Sequence, residues 1–251
     1  MRENNRVGQG FLQVPFGVWY SQAKLLLEFT AVLWIIAIID LGCLNRSIFR
    51  TLVQPPRTLG GFFYLPISCL FHSDWSHLVG NTTYLLIFGG VVVLSAPGQL
   101  LMVTLVSALG VGWVTWLIGR SRARYLGSSG VVFGYLGFVT ARSILERDAV
   151  GAVVLSWLLF SFFFGSKNFF IDPLAWDSGD KSVGIDKIVP NVNRAIWRSG
   201  QTFWSVFPGE DPQMGWEGHL FGLASGVFAA QYSSVLTPWV NQLAAWVQQA
   251  R

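Results

Sequence analysis

Ser129 lies in the stretch Gly127-Ser128-Ser129-Gly130, at the head of an apolar run that ends near Glu146. The first backbone N–H groups of a helix have no helical acceptor, and the helix dipole favours negative charge there. An alkoxide or a tetrahedral oxyanion at Ser129 would be stabilised by both. Gly127 and Gly130 let the backbone turn tightly and let another chain approach. The pattern is not the Gly-x-Ser-x-Gly elbow of soluble hydrolases, because position 131 is Val131. Taken alone, it suits a plain serine cap as well as a nucleophile.

His219 supplies a base for such a serine. It opens a second apolar run, Gly218-His219-Leu220-Phe221-Gly222, with Gly226 one turn further on. Ionisable groups in membrane helices are costly and usually functional. Gly222 and Gly226 form a small-xxx-small face on which another helix packs closely, and Gly130 and Gly134 offer a matching face. Pairing the two faces would bring His219 to Ser129, the arrangement of acyl-transfer chemistry. A third group, His77-x-x-x-Asn81, puts two hydrogen-bond donors on one helix face. Donors aimed at a developing oxyanion are usually the largest single catalytic contribution. The same pair could instead bond two helices together. No His-Glu-x-x-His and no carboxylate or cysteine at ligand spacing accompanies the histidines, so neither a metal nor a cofactor is expected.

The elements that must position these groups are membrane helices. Hydrophobic residues make up 52% of the 251 residues and charged residues only 12%, about half the charge of a soluble domain. The 12 Trp suit helix ends at the headgroup level. No basic run interleaved with aromatics occurs, so nucleic acid is not an expected partner. Cys43 and Cys69 form neither a metal-ligand spacing nor a disulfide framework.

In order, residues 1–24 read as an extramembrane tail. Residues 25–238 read as one six-helix membrane domain and 239–251 as an amphipathic tail lying in the membrane interface. The first span runs from Leu25 to Leu44, long enough for a bilayer core, with Glu28 and Asp40 near its watery ends. Residues 45–76 contain helix-breaking Pro55, Pro56, Gly60 and Gly61 among Phe62, Phe63 and Phe71. They predict an irregular segment in the interface. Later spans are expected over His77–Ala96, Gln99–Gly119, from Ser129 to about Arg142–Arg147, Ala149–Gly165 and Trp216–Leu236. A hydrophilic loop, 167–215, precedes the last. Thr237-Pro238 predicts the start of the tail helix.

The ordered set His72, Trp75, His77 and Asn81, then Gly127-Ser128-Ser129-Gly130, then Gly218-His219-Leu220-Phe221-Gly222 resembles the rhomboid family of intramembrane serine proteases. The resemblance covers Leu25 to Leu236. It implies an all-α, polytopic bundle of six transmembrane helices with a Ser–His dyad and no third acid. Glu217 agrees with this, since it points away from the face that carries His219. The resemblance implies Ser129 as nucleophile, His219 as base, and His77, Asn81 and the Ser129 N–H as oxyanion donors. Gly127, Gly130, Gly222 and His72 support them. Phe133 stands where the family often has a tyrosine stacked on the imidazole. The Trp-Arg pair of the family's first loop is missing, and Arg57 is the candidate for its anchoring part.

The implied substrates are single-span membrane proteins cut near the membrane surface. The implied location is multi-pass in a membrane, the cell membrane in a bacterium. Family resemblance places the N-terminus inside and the catalytic end outside. That leaves only Arg2, Arg6, Lys24, Arg142, Arg147 and Arg251 inside among 17 basic residues, against the positive-inside rule. Alternatives are a non-catalytic rhomboid-like binder of membrane proteins and a six-span transporter. The transporter would spread its ionisable groups across the midplane, whereas here they gather at helix starts.

Overall fold

The computed structural model describes residues 14–123, 125–147, 151–153, 156, 215 and 217–249. Most of the tail (1–13), most of the expected span over 149–165 and the loop 167–214 therefore lie outside the described residues.

The architecture is all-helical among the described residues. Helix α1 spans Phe16–Ala37 and runs on into a π turn, Ile38–Cys43. It starts at Phe16, ahead of the expected Leu25, because nothing after Pro15 breaks a helix. Lys24 and Glu28 form an i,i+4 pair at 3.6 Å on its surface. The π turn follows from what Asp40 does. Its carboxylate accepts the backbone N–H groups of Ile48 at 2.9 Å and Phe49 at 3.3 Å, which open the next helix. Asp40 is thus not at a watery end but buried, 2% exposed.

The segment over 45–76 is more regular than its prolines predict. It holds α2 (Ser47–Leu52), α3 (Leu59–Ile67) and a 3-10 turn, Ser68–Leu70. Pro55 and Pro56 fall between the helices. Gly61 falls in the first turn of α3, where a Cβ would lie 2.2 Å from the Pro55 carbonyl oxygen. The hydroxyl of Thr58 caps α3 by accepting the Gly61 N–H at 3.0 Å. Arg57 ties the segment to the bundle, donating to the Gly119 carbonyl at 2.8 Å and to Ser121 Oγ. Trp116 Nε1 donates back to the Thr58 carbonyl at 2.8 Å.

Helices α4 (Trp75–Ser95), α5 (Leu100–Ile118) and α6 (Ser129–Leu145) match the spacing of their apolar runs. Gly98, at φ +91°, makes the α4–α5 turn. Helix α6 is the centre of the molecule, buried from Gly130 to Val139. The last expected span divides. Helix α7 (Glu217–Gln231) ends at Tyr232, and α8 (Ser233–Gln249) leaves at 94°. Pro238 lies inside α8 rather than at its start. The turn closes on the Tyr232 carbonyl, which accepts Leu236 N–H at 2.9 Å. That places Leu236 and Val240 against the core.

Among the described residues, three helices are long and apolar enough to cross a membrane, or up to four if the bent α7–α8 pair counts as one span. Helix α6, with 17 residues, is apolar but short.

Candidate active site

One end of the bundle gathers the ends of α1 and α5 and the starts of α4, α6 and α7. The groups singled out in the sequence meet there. The α6 and α7 backbones touch through their glycines. A Cβ on Gly222 would lie 2.1 Å from the Gly130 carbonyl oxygen, and one on Gly226 1.9 Å from that of Gly134. Helices carrying side chains at those positions could not come so close. With the faces in register, His219 Nε2 lies 2.9 Å from Ser129 Oγ. Phe133, one turn into α6, stacks on the imidazole with ring centroids 4.6 Å apart and planes at 29°. His219 is buried.

Asp74 caps α4, its carboxylate accepting the His77 N–H at 2.9 Å. Ser73 Oγ donates to the same carboxylate at 2.8 Å and lies 3.0 Å from His77 Nδ1. The other edge of the ring faces Gly127. A Cβ there would meet His77 Nε2 at 2.7 Å and Asn81 Nδ2 at 2.8 Å, and φ at Gly127 is +94°. Glycine is therefore required on two counts: conformation and the space that His77 and Asn81 occupy. Asn81 is buried, and among the described residues its Nδ2 donates to nothing. A buried donor left without an acceptor costs about 1–3 kcal/mol, which an incoming oxyanion would recover.

His72 lies behind the turn. Its Nε2 accepts the Ser128 N–H at 3.5 Å, and its ring meets that of His77 edge-on at 5.2 Å. Burial first, then the neighbouring His77, push the His72 pKa down to about 3, against Asp74 and the Leu70 carbonyl. His72 is a neutral spacer under the turn rather than a charge. Among the described residues no three His, Cys, Asp or Glu side chains gather where a metal ion could be held.

Sequence reasoning passed over Ser73, Asp74 and Arg120. Asp74-x-x-His77 is a readable N-cap pattern. Arg120 carries no local signal, because its partner is Glu217, far along the chain.

The Rhomboid domain family model matches residues 60–175. Over this stretch the chain is similar to the rhomboid family. An uncharacterized protein of Mycobacterium leprae is 26% identical over 222 residues, 84% of this chain and 71% of the relative. Uncharacterized proteins of Mycobacterium tuberculosis and Mycobacterium bovis are each 29% identical over 148 residues, 55% of this chain and 60% of theirs. The chain thus spans less than two thirds of the latter two. No solved structure matches it. The rhomboid match and the apolar helices make this a membrane protein.

Proposed function

We propose that this protein is an intramembrane serine endopeptidase that cuts single-span membrane proteins near the membrane surface. The observation that carries the reading is the 2.9 Å approach of His219 Nε2 to Ser129 Oγ under a stacked Phe133. His219 takes the Ser129 proton as Oγ attacks the scissile carbonyl. The oxyanion that forms is held by the Asn81 amide, His77 and the Ser129 N–H. The C–N bond breaks as His219 hands its proton to the leaving amine. His219 then takes a proton from water as the water oxygen attacks the acyl carbonyl, and returns that proton to Ser129 Oγ as the ester C–O bond breaks. Glu217 has no part in these steps, because Arg120 engages it.

The catalytic bundle has six spans in this reading, the fifth falling within residues 149–165. The neutral helix α8 lies in the membrane interface at the opposite end. Its exposed Val235, Trp239, Leu243 and Trp246 fall on one face at helical spacing.

The test is covalent labelling of the detergent-purified protein by a serine-reactive phosphonate, beside cleavage of a single-span reporter. Ser129→Ala and His219→Ala should each abolish both signals while the protein stays folded. Asn81→Ala should slow cleavage by roughly 10²–10³-fold, the effect of losing one oxyanion donor. Full activity in either dyad variant would overturn the mechanism. A wild-type protein that folds yet neither labels nor cuts would shift the reading to a non-catalytic binder.

A further inference from the structure

Glu217 is the first residue of α7, and its carboxylate takes two bonds from the guanidinium of Arg120. The second of these, from Nη2 to Oε2, measures 3.1 Å. Arg120 belongs to the short connection that leads from α5 to Gly127 and Ser129. That connection is itself fixed. The Arg120 N–H donates to Tyr125 Oη at 2.7 Å, and the Tyr125 carbonyl accepts from Tyr64 Oη at 3.2 Å. Arg57 holds the preceding Gly119 carbonyl at 2.8 Å. The Glu217 side chain is only 12% exposed at this contact and that of Arg120 42%, so the carboxylate end of the pair is covered while the guanidinium reaches the surface.

Two residues along a helix turn through about 200°. Holding Glu217 on Arg120 therefore turns His219 to the other side of α7, toward Ser129. Further along α7 the contacts with α6 run through Gly222 and Gly226. Glycine contacts set the distance between two helices but grip rotation weakly, having no side chains to interlock. His219 is also only the third residue of its helix, in the turn most prone to fraying.

We propose that the Arg120–Glu217 pair is a clasp that sets the rotation of the first turn of α7, making both positioning residues for the His219 base. Its catalytic meaning rests on the hydrolytic reading above, but its effect on the ring does not. Neither residue touches the imidazole in this role. They act through the helix.

The experiment uses the full chain, folded in detergent and carrying ¹⁵N-histidine. The sequence has 3 histidines, so the spectrum is simple, and His219→Ala identifies the His219 signals. Glu217→Gln should move the His219 resonances, leave those of His72 and His77 in place, and slow phosphonate labelling by roughly ten-fold or more, as small misplacements of a catalytic group do. The reversed pair, Arg120→Glu with Glu217→Arg, should return the His219 resonances toward wild type. A Glu217→Gln protein with unmoved His219 resonances overturns the clasp, whether or not the wild type labels. If Glu217→Gln does not fold, a reversed pair that folds with displaced His219 resonances overturns it equally. Absent labelling of the wild type, with the predicted shifts intact, overturns the hydrolytic reading and leaves the clasp standing.

Discussion

At the residue scale, the site is a set of polar groups held in an apolar bundle by partners that each do one thing. Phe133 gives His219 a flat apolar floor, and stacked rings of this kind contribute about 0.5–1.5 kcal/mol. Phe133→Ala should therefore weaken the dyad without removing it, and Phe133→Tyr should keep it. His72 is different in kind, because its work depends on having no charge. An unfolded histidine titrates near 6.5, whereas burial holds folded His72 at about 3. Between these values the unfolded chain takes up a proton that the folded chain refuses, so stability falls as pH drops from about 6.5 toward 3. At pH 4.5 the loss from this one group is about 3 kcal/mol. Denaturant unfolding in detergent at pH 7.5 and pH 4.5 should show His72→Asn losing less stability on acidification than the wild type. Equal losses would mean that His72 is charged in the folded protein.

At the element scale, the site depends on how closely α6 and α7 approach. Gly226 meets a backbone carbonyl, which cannot step aside, at 1.9 Å from its would-be Cβ, whereas a Cβ on Gly90 in α4 meets nothing within 4 Å. Gly226→Ala should cost about 1–3 kcal/mol as overpacking does and part His219 from Ser129, lowering phosphonate labelling. Gly90→Ala should be neutral or stabilising by up to about 1 kcal/mol. Thermal unfolding of the two variants gives the comparison, and an equal response would remove the close glycine contact as the determinant. This contact was legible in the sequence because spacing four puts Gly130 and Gly134, and Gly222 and Gly226, on single helix faces. The break at Tyr232 was not legible. Neither glycine nor proline marks it, and the nearby Pro238 misdirects the reading by five residues from Ser233, where α8 starts. Asp40 misled for a related reason. A carboxylate near the end of an apolar run suggests water, but this one is buried because the chain folds back and offers it the N–H groups of α2. The Arg120–Glu217 pair joins residues 97 apart in sequence, and no local pattern announces such a contact.

At the scale of the whole molecule, the helices sort into two ends, and this sorting is testable without any substrate. Asp40, Asp74, Arg57, Ser121 and Glu217 lie at the end that holds Ser129. The opposite end holds the start of α1, where Gln22 Oε1 accepts the Leu100 N–H at 3.2 Å, and the close of α6, where Arg142 reaches the Ser95 carbonyl at 3.5 Å. Helix α8 lies at that opposite end as well. If the bundle crosses a membrane, exposed positions at the two ends must face different compartments. Ser121 and Gln242 are both exposed and serve as reporters once Cys43 and Cys69 are replaced by serine. Ser121→Cys should react with a membrane-impermeant maleimide on intact cells, and Gln242→Cys only after permeabilisation. The family resemblance sets that direction and the arginine count opposes it. Six of 17 basic residues fall on the inner side in the one case and eleven in the other. The direction favoured here follows from where those charges sit. Arg120 is paired with the Glu217 carboxylate, which offsets its charge, and Arg57, still a cation, is held on the Gly119 carbonyl and Ser121 Oγ, so both are structural groups rather than free loop cations. The reversed labelling pattern would hand the decision to the charge rule and leave the two-ended bundle intact. Reaction of both cysteines from one side would break the bundle as a membrane-crossing unit.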